Sequence, residues 1–303
     1  MSGRGTSSGG TGGRRRVPAR LAGPPGPARG AGEPAIVVLP DADAAAAAAA
    51  GLLVDALAAA AARRGRADIA STGGSSAPPI YRALLAEPLR GRVPWLALHV
   101  WLGDDRFVPR GDPASNLVPI DGVLLAGDAA RGLVPAPLDP ARVHPWPTDA
   151  SLAAGEGAAA CAARFEPVLR SEVPADAAGR PAFDAILVGV GPDGHLLSVF
   201  PGSAAFDVPG WTTWAPAPTH AEPHVDRVTL TPAALDAAGA LVVLALGAGK
   251  AAIVGALLGA LPAGRDEDER RLPALRARRA GATWVLDAAA AGALSAADPR
   301  RVG

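Results

Sequence analysis

The 303-residue chain has almost no cysteine and no excess of charge of either sign. Its one cysteine, Cys161, excludes an internal disulfide framework and a cysteine-rich metal cluster. Twenty-nine basic residues balance twenty-nine acidic ones, so the positive charge that is typical of nucleic-acid-binding proteins is missing. We therefore expect neither a disulfide scaffold nor a nucleic-acid partner.

Long uninterrupted apolar runs are also missing. The two longest, Ala44 to Val54 and Ala237 to Pro262, end at Asp55 or contain Lys250 and several glycines, whereas a membrane-spanning helix needs roughly 20 apolar residues. The first 33 residues are rich in Gly, Arg and Pro and contain no apolar signal-peptide core. We expect a cytoplasmic protein without a membrane partner, with a disordered tail over 1–33 and one domain over 34–303.

Several polar residue types occur once or never. The chain contains one lysine (Lys250), one asparagine (Asn116) and no glutamine. Arginine has replaced lysine almost everywhere, so a single retained lysine indicates a chemical role that arginine does not fill. Both single residues fall inside motifs described below.

Short apolar runs alternate with longer helical patterns from residue 35 onward, and 49% of the residues are hydrophobic, enough for a sizeable core. The predicted strands are Ala35–Leu39, Arg66–Ser71, Trp95–Leu102, Phe183–Val190, Arg227–Thr231, Leu241–Leu246 and Trp284–Leu286. The predicted helices are Asp41–Arg63, one opened by Pro78 and Pro79, Ser115–Leu125, Ser151–Leu169, Ala248–Leu261 and an Ala-rich one after Leu286. The charged run Arg265–Arg279 is predicted to be a solvated, self-neutralising face. This alternation favours an α/β fold, a Rossmann-like, mostly parallel twisted sheet with helices on both faces.

A Gly/Ser loop follows the second predicted strand. It reads Thr72-Gly73-Gly74-Ser75-Ser76 and leads into the helix that the two prolines open. Glycines let the backbone approach a ligand closely, and the N–H groups at a helix start favour an anion such as phosphate. An ordinary turn between a strand and a helix uses the same residue types, so this motif alone leaves both interpretations open.

A charged segment, Asp104-Asp105-Arg106, follows the third predicted strand, with Asn116 a short distance further along. The Arg106 guanidinium is suited to bind phosphate oxygens in a fork, oriented by the neighbouring carboxylates. A surface ion pair is the alternative. Asn116 is suited either to cap the following helix or to contact a ligand.

The turn Asp193-Gly194-His195 follows the predicted strand Phe183–Val190. An imidazole can take a proton from water near neutral pH, and a neighbouring carboxylate such as Asp193 can orient it or stabilise its charged form. The motif therefore predicts a catalytic histidine, with a purely structural histidine as the alternative.

The segment Gly247-Ala248-Gly249-Lys250 again lies between a strand and a helix. It is not a Walker P-loop, because Leu244 replaces the first glycine and Ala251 replaces the Ser or Thr that would hold magnesium. A lysine at a helix start can still supply positive charge to an anionic ligand, and a surface lysine is the alternative. His220 and His224 have a spacing that suits a metal, but no third ligand stands out, so we expect no metal site.

In this order, the motifs resemble the 6-phosphogluconolactonase family, in the superfamily of the glucosamine/galactosamine-6-phosphate isomerases. The resemblance covers residues 35 to 292 and departs from the family where Asp105 replaces a glutamate. The segments that carry it are TGGSSA at 72–77, DDR at 104–106, GVGPDGH at 189–195, RVTLT at 227–231 and GAGKA at 247–251.

The resemblance implies hydrolysis of 6-phospho-D-glucono-1,5-lactone to 6-phosphogluconate in the oxidative pentose phosphate pathway, without metal or organic cofactor. The partner it implies is a small sugar phosphate, bound by a monomer or a small homo-oligomer. His195 and Asp193 are then the catalytic residues. The implied substrate- and phosphate-binding residues are Gly73, Gly74, Ser75, Arg106, Gly194, Arg227 and Lys250.

Two alternatives remain open. The first is an isomerase similar to glucosamine-6-phosphate deaminase, but that family has an Asn-Glu pair where this chain has Ser198-Val199-Phe200-Pro201. The second is a sugar-phosphate sensor that kept the pocket and lost catalysis. The intact Asp193-Gly194-His195 turn argues against the sensor.

Overall fold

The computed structural model describes Met1 and residues 32–259, 266–298 and 300–302, so most of the predicted tail over 1–33 lies outside the described residues. The strands are β1 (Ala35–Leu39), β2 (Ala67–Ser71), β3 (Leu98–Leu102), β4 (Asp104–Arg106), β5 (Val143–His144), β6 (Ala185–Gly189), β7 (Thr212–Ala215), β8 (Arg227–Leu230), β9 (Ala240–Ala245), β10 (Ala282–Asp287) and β11 (Arg301–Val302). The α-helices are α1 (Ala42–Arg64), α2 (Ala77–Leu85), α3 (Thr148–Ala153), α4 (Ala158–Glu172), α5 (Ala233–Ala237), α6 (Ala251–Leu258) and α7 (Asp266–Arg271).

Eight strands form one sheet in the order β11-β1-β10-β9-β6-β2-β3-β5, and all of its pairs are parallel. The predicted α/β fold class is confirmed. The chain leaves β2 toward β3 but leaves β6 toward β9, so the direction of winding reverses between β2 and β6. Because crossovers are right-handed, opposite winding puts helices on opposite faces of the sheet. The reversal opens a crevice at the carboxyl ends of β2 and β6, where sheets of this type bind ligands.

A second, antiparallel sheet has the order β4-β8-β7. The strand predicted over Arg227–Thr231 exists as β8 but belongs to this small sheet rather than to the parallel one. It pairs with β4, which places Arg227 directly opposite Arg106. The small sheet therefore brings two arginines of the candidate site together.

Helix α1 begins after Asp41, whose side chain accepts the N–H of Ala44 at 2.8 Å, and ends at Gly65, which has a φ of +71°. By length and composition α1 could cross a membrane. Its apolar stretch was expected to end at Asp55, but it continues beyond that residue. Half of its apolar window is buried, and it packs against β9, β10, β2 and α2. These contacts are those of a core helix.

Several predicted helices differ in the structure. The helix predicted over 151–169 is split into α3 and α4 around Gly155, whose φ of +69° interrupts the helical geometry. The helix predicted over 115–125 is a π-helix from Ile120 to Leu125. After β10 the structure has turns over 288–293 instead of an Ala-rich helix, and the Asp287 carboxylate accepts the N–H of Ala290 at 2.7 Å. The predicted end of the helix over 248–261 lies outside the described residues.

The charged run over 265–279 is not a fully solvated face, and that prediction is wrong for its second half. Pro273–Ala277 forms a buried 3₁₀-helix, and Arg276 makes a two-pronged ion pair with Asp236 at 2.6 and 2.9 Å. The backbone N–H of Ala274 donates to the carbonyl of Gly194 at 2.9 Å. This segment therefore supports the turn that carries the candidate catalytic histidine.

Candidate active site

The four motifs lie at the carboxyl ends of four neighbouring strands. The order β9-β6-β2-β3 within the sheet puts the loops 246–250, 190–195, 72–76 and 103–106 side by side. Carboxyl ends of parallel strands meet at one edge of a sheet, so residues far apart in sequence meet there.

Direct hydrogen bonds connect these loops. The ammonium of Lys250 donates to the carbonyl of Val190 at 2.7 Å, which ties the β9 loop to the β6 loop. The hydroxyl of Ser198, three residues after His195, donates to Asp104 Oδ2 at 2.6 Å. The β6 loop is thereby tied to β4, which carries Arg106.

Asn116, the only asparagine, connects the Gly/Ser loop to β4. Its amide Nδ2 donates to the carbonyl of Asp104 at 2.9 Å, and its backbone N–H donates to Asp105 Oδ1 at 2.7 Å. A Cβ on Gly73 would lie 1.9 Å from Asn116 Oδ1, so only glycine fits at that position. Asn116 is therefore buried between two loops of the site, and its Oδ1 has no hydrogen-bond partner among the described residues.

The loop itself ends in a 3₁₀-helix, Gly74–Ser76, that continues into α2 with Pro78 in its first turn. Gly74 has a φ of +65°, which glycine adopts without strain. The side chain of Ser75 lies outside the described residues. This backbone geometry provides N–H groups at the start of α2, next to the crevice.

Two glycines shape the turn that carries His195. Gly194 has a φ of +87°, and a Cβ there would lie 2.6 Å from Leu272 Cδ2. Gly191 donates its N–H to the carbonyl of His195 at 2.8 Å, and a Cβ on Gly191 would lie 2.1 Å from His195 Nδ1. The ring of His195 thus packs directly over the backbone of Gly191.

Asp193 also holds the imidazole of His195. His195 Nδ1 lies 2.5 Å from Asp193 Oδ1, which also accepts the backbone N–H of His195 at 3.2 Å. Burial alone raises the pKa of Asp193, but hydrogen bonds from His195 and His220 and the charge of His195 together hold it well below its usual range. The carboxylate is therefore ionised and accepts the proton on Nδ1, and in the neutral form of the ring the lone pair is then on Nε2.

The carboxyl of Asp105 is buried behind Arg106, with 1% of the residue exposed. Burial raises the pKa of Asp105 to about 7, against the lowering effect of N–H donors from Asn116 and Arg106. Its Oδ2 accepts the hydroxyl of Ser115 at 3.1 Å. Asp105 therefore holds the backbone of Arg106 close to that of Asn116, and it does not pair with the guanidinium.

Arg106 and Arg227 form a cationic pair on β4 and β8. Arg106 donates to the carbonyl of Ala114, and Arg227 donates to the carbonyl of Pro223 at 2.6 Å. Within the described part of the chain, neither guanidinium makes an ion pair with a carboxylate. Burial, and then repulsion from Arg106, lower the pKa of Arg227 to about 10. Neighbouring carboxylates oppose this lowering of the Arg227 pKa through space, without forming an ion pair with it. Two adjacent cations arranged in this way favour the binding of an anion.

Lys250 lies at the start of α6, in a 3₁₀-turn that follows Gly247. Burial lowers the pKa of Lys250, and the nearby charge of Asp193 partly opposes this effect. One of its three N–H donors is used by Val190, so donors remain for a ligand.

An open groove of about 510 Å³ borders the site. It runs between 200–205 and 213–220 and lies beside the four loops rather than over them. Phe200 and His220 line it, and both also contact the turn that carries His195.

The hydrogen bond between His220 and Asp193 was not predicted from the sequence. His220 bonds to Asp193 and His224 bonds to the carbonyl of Pro218, so the two histidines do not share a ligand. No group of three metal-ligating side chains occurs among the residues that the structure describes. A histidine in a polar loop, 27 residues after its partner, gives no signal in the sequence.

The fold and the site define an α/β protein that combines a carboxylate-bound histidine with cationic groups at the carboxyl edge of a parallel sheet. The family model for glucosamine-6-phosphate isomerases/6-phosphogluconolactonase matches residues 40–285. The chain belongs to this family, which confirms the resemblance found in its motifs.

Relatives with known names support the assignment. The 6-phosphogluconolactonase of Streptomyces coelicolor is 36% identical over 233 residues, covering 76% of this chain and 83% of the relative. That of Mycobacterium tuberculosis is 33% identical over 260 residues, covering 86% and 98%. The structure of the Trypanosoma brucei 6-phosphogluconolactonase has a TM-score of 0.68 at 28% identity, covering 87% of this chain and all of that one. A monomeric glucosamine-6-phosphate deaminase shares the fold at 17% identity, with a TM-score of 0.65 and coverage of 86% and 99%.

Proposed function

We propose that this protein hydrolyses 6-phospho-D-glucono-1,5-lactone to 6-phosphogluconate with His195 as the general base. The relatives named 6-phosphogluconolactonase make the chain an enzyme of the lactone-hydrolase class that acts on a small sugar phosphate in the pentose phosphate pathway. The observation that carries the assignment of the base is the 2.5 Å contact between His195 Nδ1 and Asp193.

The proposed chemistry begins with water next to His195. Nε2 accepts a proton from the water as its oxygen forms a bond to the lactone carbonyl carbon. The bond between that carbon and the ring oxygen then breaks, and Nε2 returns the proton to the leaving oxygen. Asp193 stabilises the imidazolium that exists between the two steps. A positioned base of this kind contributes about 10² to 10⁴-fold to the rate.

The phosphate end is assigned to the cationic groups. Arg106, Lys250 and the N–H groups of Gly73, Gly74 and Ser75 would bind its oxygens, with Gly194 shaping the wall between them. Arg227 adds positive potential from behind Arg106, since two of its nitrogens already donate to loop carbonyls. Binding the remote phosphate positions the carbonyl carbon against the water, so it contributes to turnover as well as to affinity.

The proposal extends to the setting of the reaction. We place the enzyme in the cytoplasm, as a monomer or small homo-oligomer in which residues 34–303 form one domain. A net charge of zero and the packing of α1 against the sheet support a protein without nucleic-acid or membrane partners.

The test is a lactone hydrolysis assay at low temperature and slightly acid pH, where spontaneous opening is slow. The wild-type chain should accelerate hydrolysis, and His195→Ala should lower kcat by at least about 100-fold without loss of the fold. Lys250→Met should lower kcat/KM by about tenfold or more, because a charge-assisted bond to phosphate is lost.

Three outcomes would contradict the proposal. Turnover of His195→Ala at the wild-type rate would remove the assigned base. Release of ammonia from glucosamine 6-phosphate, without lactone hydrolysis, would identify the deaminase-like isomerase. Binding of 6-phosphogluconate with no turnover of either substrate would identify the sugar-phosphate sensor.

A further inference from the structure

The carboxylate of Asp193 has a second imidazole partner. His220 Nε2 lies 2.8 Å from Asp193 Oδ2, while His195 Nδ1 lies 2.5 Å from Oδ1. Because Asp193 is ionised, each imidazole donates its proton-bearing nitrogen to one carboxylate oxygen. Each oxygen of the Asp193 carboxylate is therefore hydrogen-bonded to a different imidazole. The two bonds together fix the orientation of the carboxylate.

Phe200 packs against both imidazoles. Its ring centroid lies 4.8 Å from that of His195 and 5.8 Å from that of His220, the latter at an interplanar angle of 88°. Phe200 itself is buried. The two imidazole rings thus pack on the same buried aromatic side chain.

Residues 216–226, between β7 and β8, form the loop that carries His220, here called the His220 loop. Its ends are joined by the bond from Ala217 N–H to Asp226 Oδ1, at 2.9 Å. His224 Nδ1 donates to the carbonyl of Pro218 at 2.7 Å, and Arg227 donates to the carbonyl of Pro223 at 2.6 Å. His220 is therefore delivered to Asp193 by a loop with its own internal bonds.

We propose that His220 is a positioning residue for the general base, acting on His195 through the Asp193 carboxylate. The inference rests on the proposed function of His195. By fixing Oδ2, His220 stops Asp193 from rotating about its side-chain bonds, so the Nδ1–H of His195 meets Oδ1 in one geometry. The free Nε2 then points in one direction, toward the position of the attacking water.

The exposure of His220 determines how far kcat should fall when its side chain is removed. Its side chain is 51% exposed, and Asp193 keeps two donors on Oδ1 when His220 is removed. Hydrogen bonds that compete with water contribute little, so loss of His220 should lower kcat by about three- to tenfold rather than abolish it. Lys250 also acts on Asp193 through space and stays in place in each variant below.

The test compares His220→Ala, His220→Gln and His224→Ala in the full chain, with the lactone hydrolysis assay and a thermal melt of each variant. His220→Ala should lower kcat by about three- to tenfold with KM within about twofold. His220→Gln should recover most of kcat, because the glutamine amide can still donate to Asp193. His224→Ala removes one internal bond of the same loop, the one to the Pro218 carbonyl, without touching Asp193, so it should lower kcat much less than His220→Ala does.

A double-mutant cycle separates action through Asp193 from a general effect of the loop. In an Asp193→Asn background, His220→Ala should cause no further loss of kcat, since the contact that transmits the effect is already altered. The proposal is overturned if His220→Ala keeps wild-type kcat, if His224→Ala lowers kcat equally, or if the effects of Asp193→Asn and His220→Ala multiply. Wild-type turnover of His195→Ala would instead remove the proposed function, so the two failures are distinguishable.

Discussion

Two pairs of interacting side chains in this molecule use histidine in opposite ways. At the carboxyl edge of the sheet, His195 donates to the ionised carboxylate of Asp193. On β3 and β5, His99 Nδ1 and His144 Nε2 lie 2.9 Å apart, and the His144 ring stacks on Trp101 with centroids 3.8 Å apart. The two pairs therefore differ in the group that lies against the imidazole, which is an ionised carboxylate for His195 and a second imidazole for His144.

The pKa of His144 supports this contrast between the two pairs. Burial, then the charges of His99 and Arg66, lower the pKa of His144 to about 4. An imidazole in that setting stays neutral at physiological pH and contributes packing. The histidine near a carboxylate and a free crevice is the one that can carry proton transfer.

The largest effect is expected from displacing His195 and Asp193. Gly191→Ala adds a Cβ at 2.1 Å from His195 Nδ1 and 2.5 Å from Asp193 Oδ1, so both groups must move. A misplacement of about 1 Å costs about 10²-fold, and we expect a loss of kcat of that order in the lactone hydrolysis assay. Gly111→Ala is the matched control, because nothing lies within 4 Å of its added Cβ. Equal turnover of the two variants would show that the geometry around His195 does not limit the reaction.

A smaller effect is expected from the pair of His99 and His144. The pKa of His144 is about 4 in the folded protein against 6.5 for the free side chain, so the unfolded chain binds this proton first as pH falls. Stability should therefore decrease between pH 6.5 and 4, and the dependence on His144 should end below pH 4. In thermal melts over that range, His144→Gln should lose about 2–4 °C less than the wild type.

The exposed His224 provides the control for this second prediction. His224→Gln removes a histidine of similar chemistry from a solvated loop and should leave the acid dependence of the melting temperature as it is in the wild type. If His144→Gln kept the full wild-type decrease, protonation of the stacked pair would not be what destabilises the protein in acid.

Much of the site could be predicted because a parallel sheet collects the ends of its strands at one edge. The turns before Arg106, His195 and Lys250 each follow a short apolar run, so their placement needed only the alternation of strands and helices. The single asparagine also proved informative, since Asn116 bridges the Gly/Ser loop and β4.

The other features of the candidate site depend on contacts between residues far apart in the chain. Such contacts leave no local pattern in the sequence. Arg227 lies in a separate antiparallel sheet, and nothing in RVTLT distinguishes that from a parallel strand. Arg276 appeared to belong to a solvated run, but its partner Asp236 lies 40 residues earlier. His220 contacts Asp193 only because the His220 loop folds back to the turn that carries His195.

The central claim is that Asp193 fixes one tautomer of His195 and leaves Nε2 free to accept a proton. A long-range ¹H–¹⁵N correlation spectrum of the histidine rings tests it directly, with the His195 signals identified by their loss in His195→Asn. At a pH where the ring is neutral, the account predicts a proton on Nδ1 and none on Nε2. A proton on Nε2 instead would contradict the proposed role of His195, because the nitrogen proposed to accept a proton from water would then be a donor.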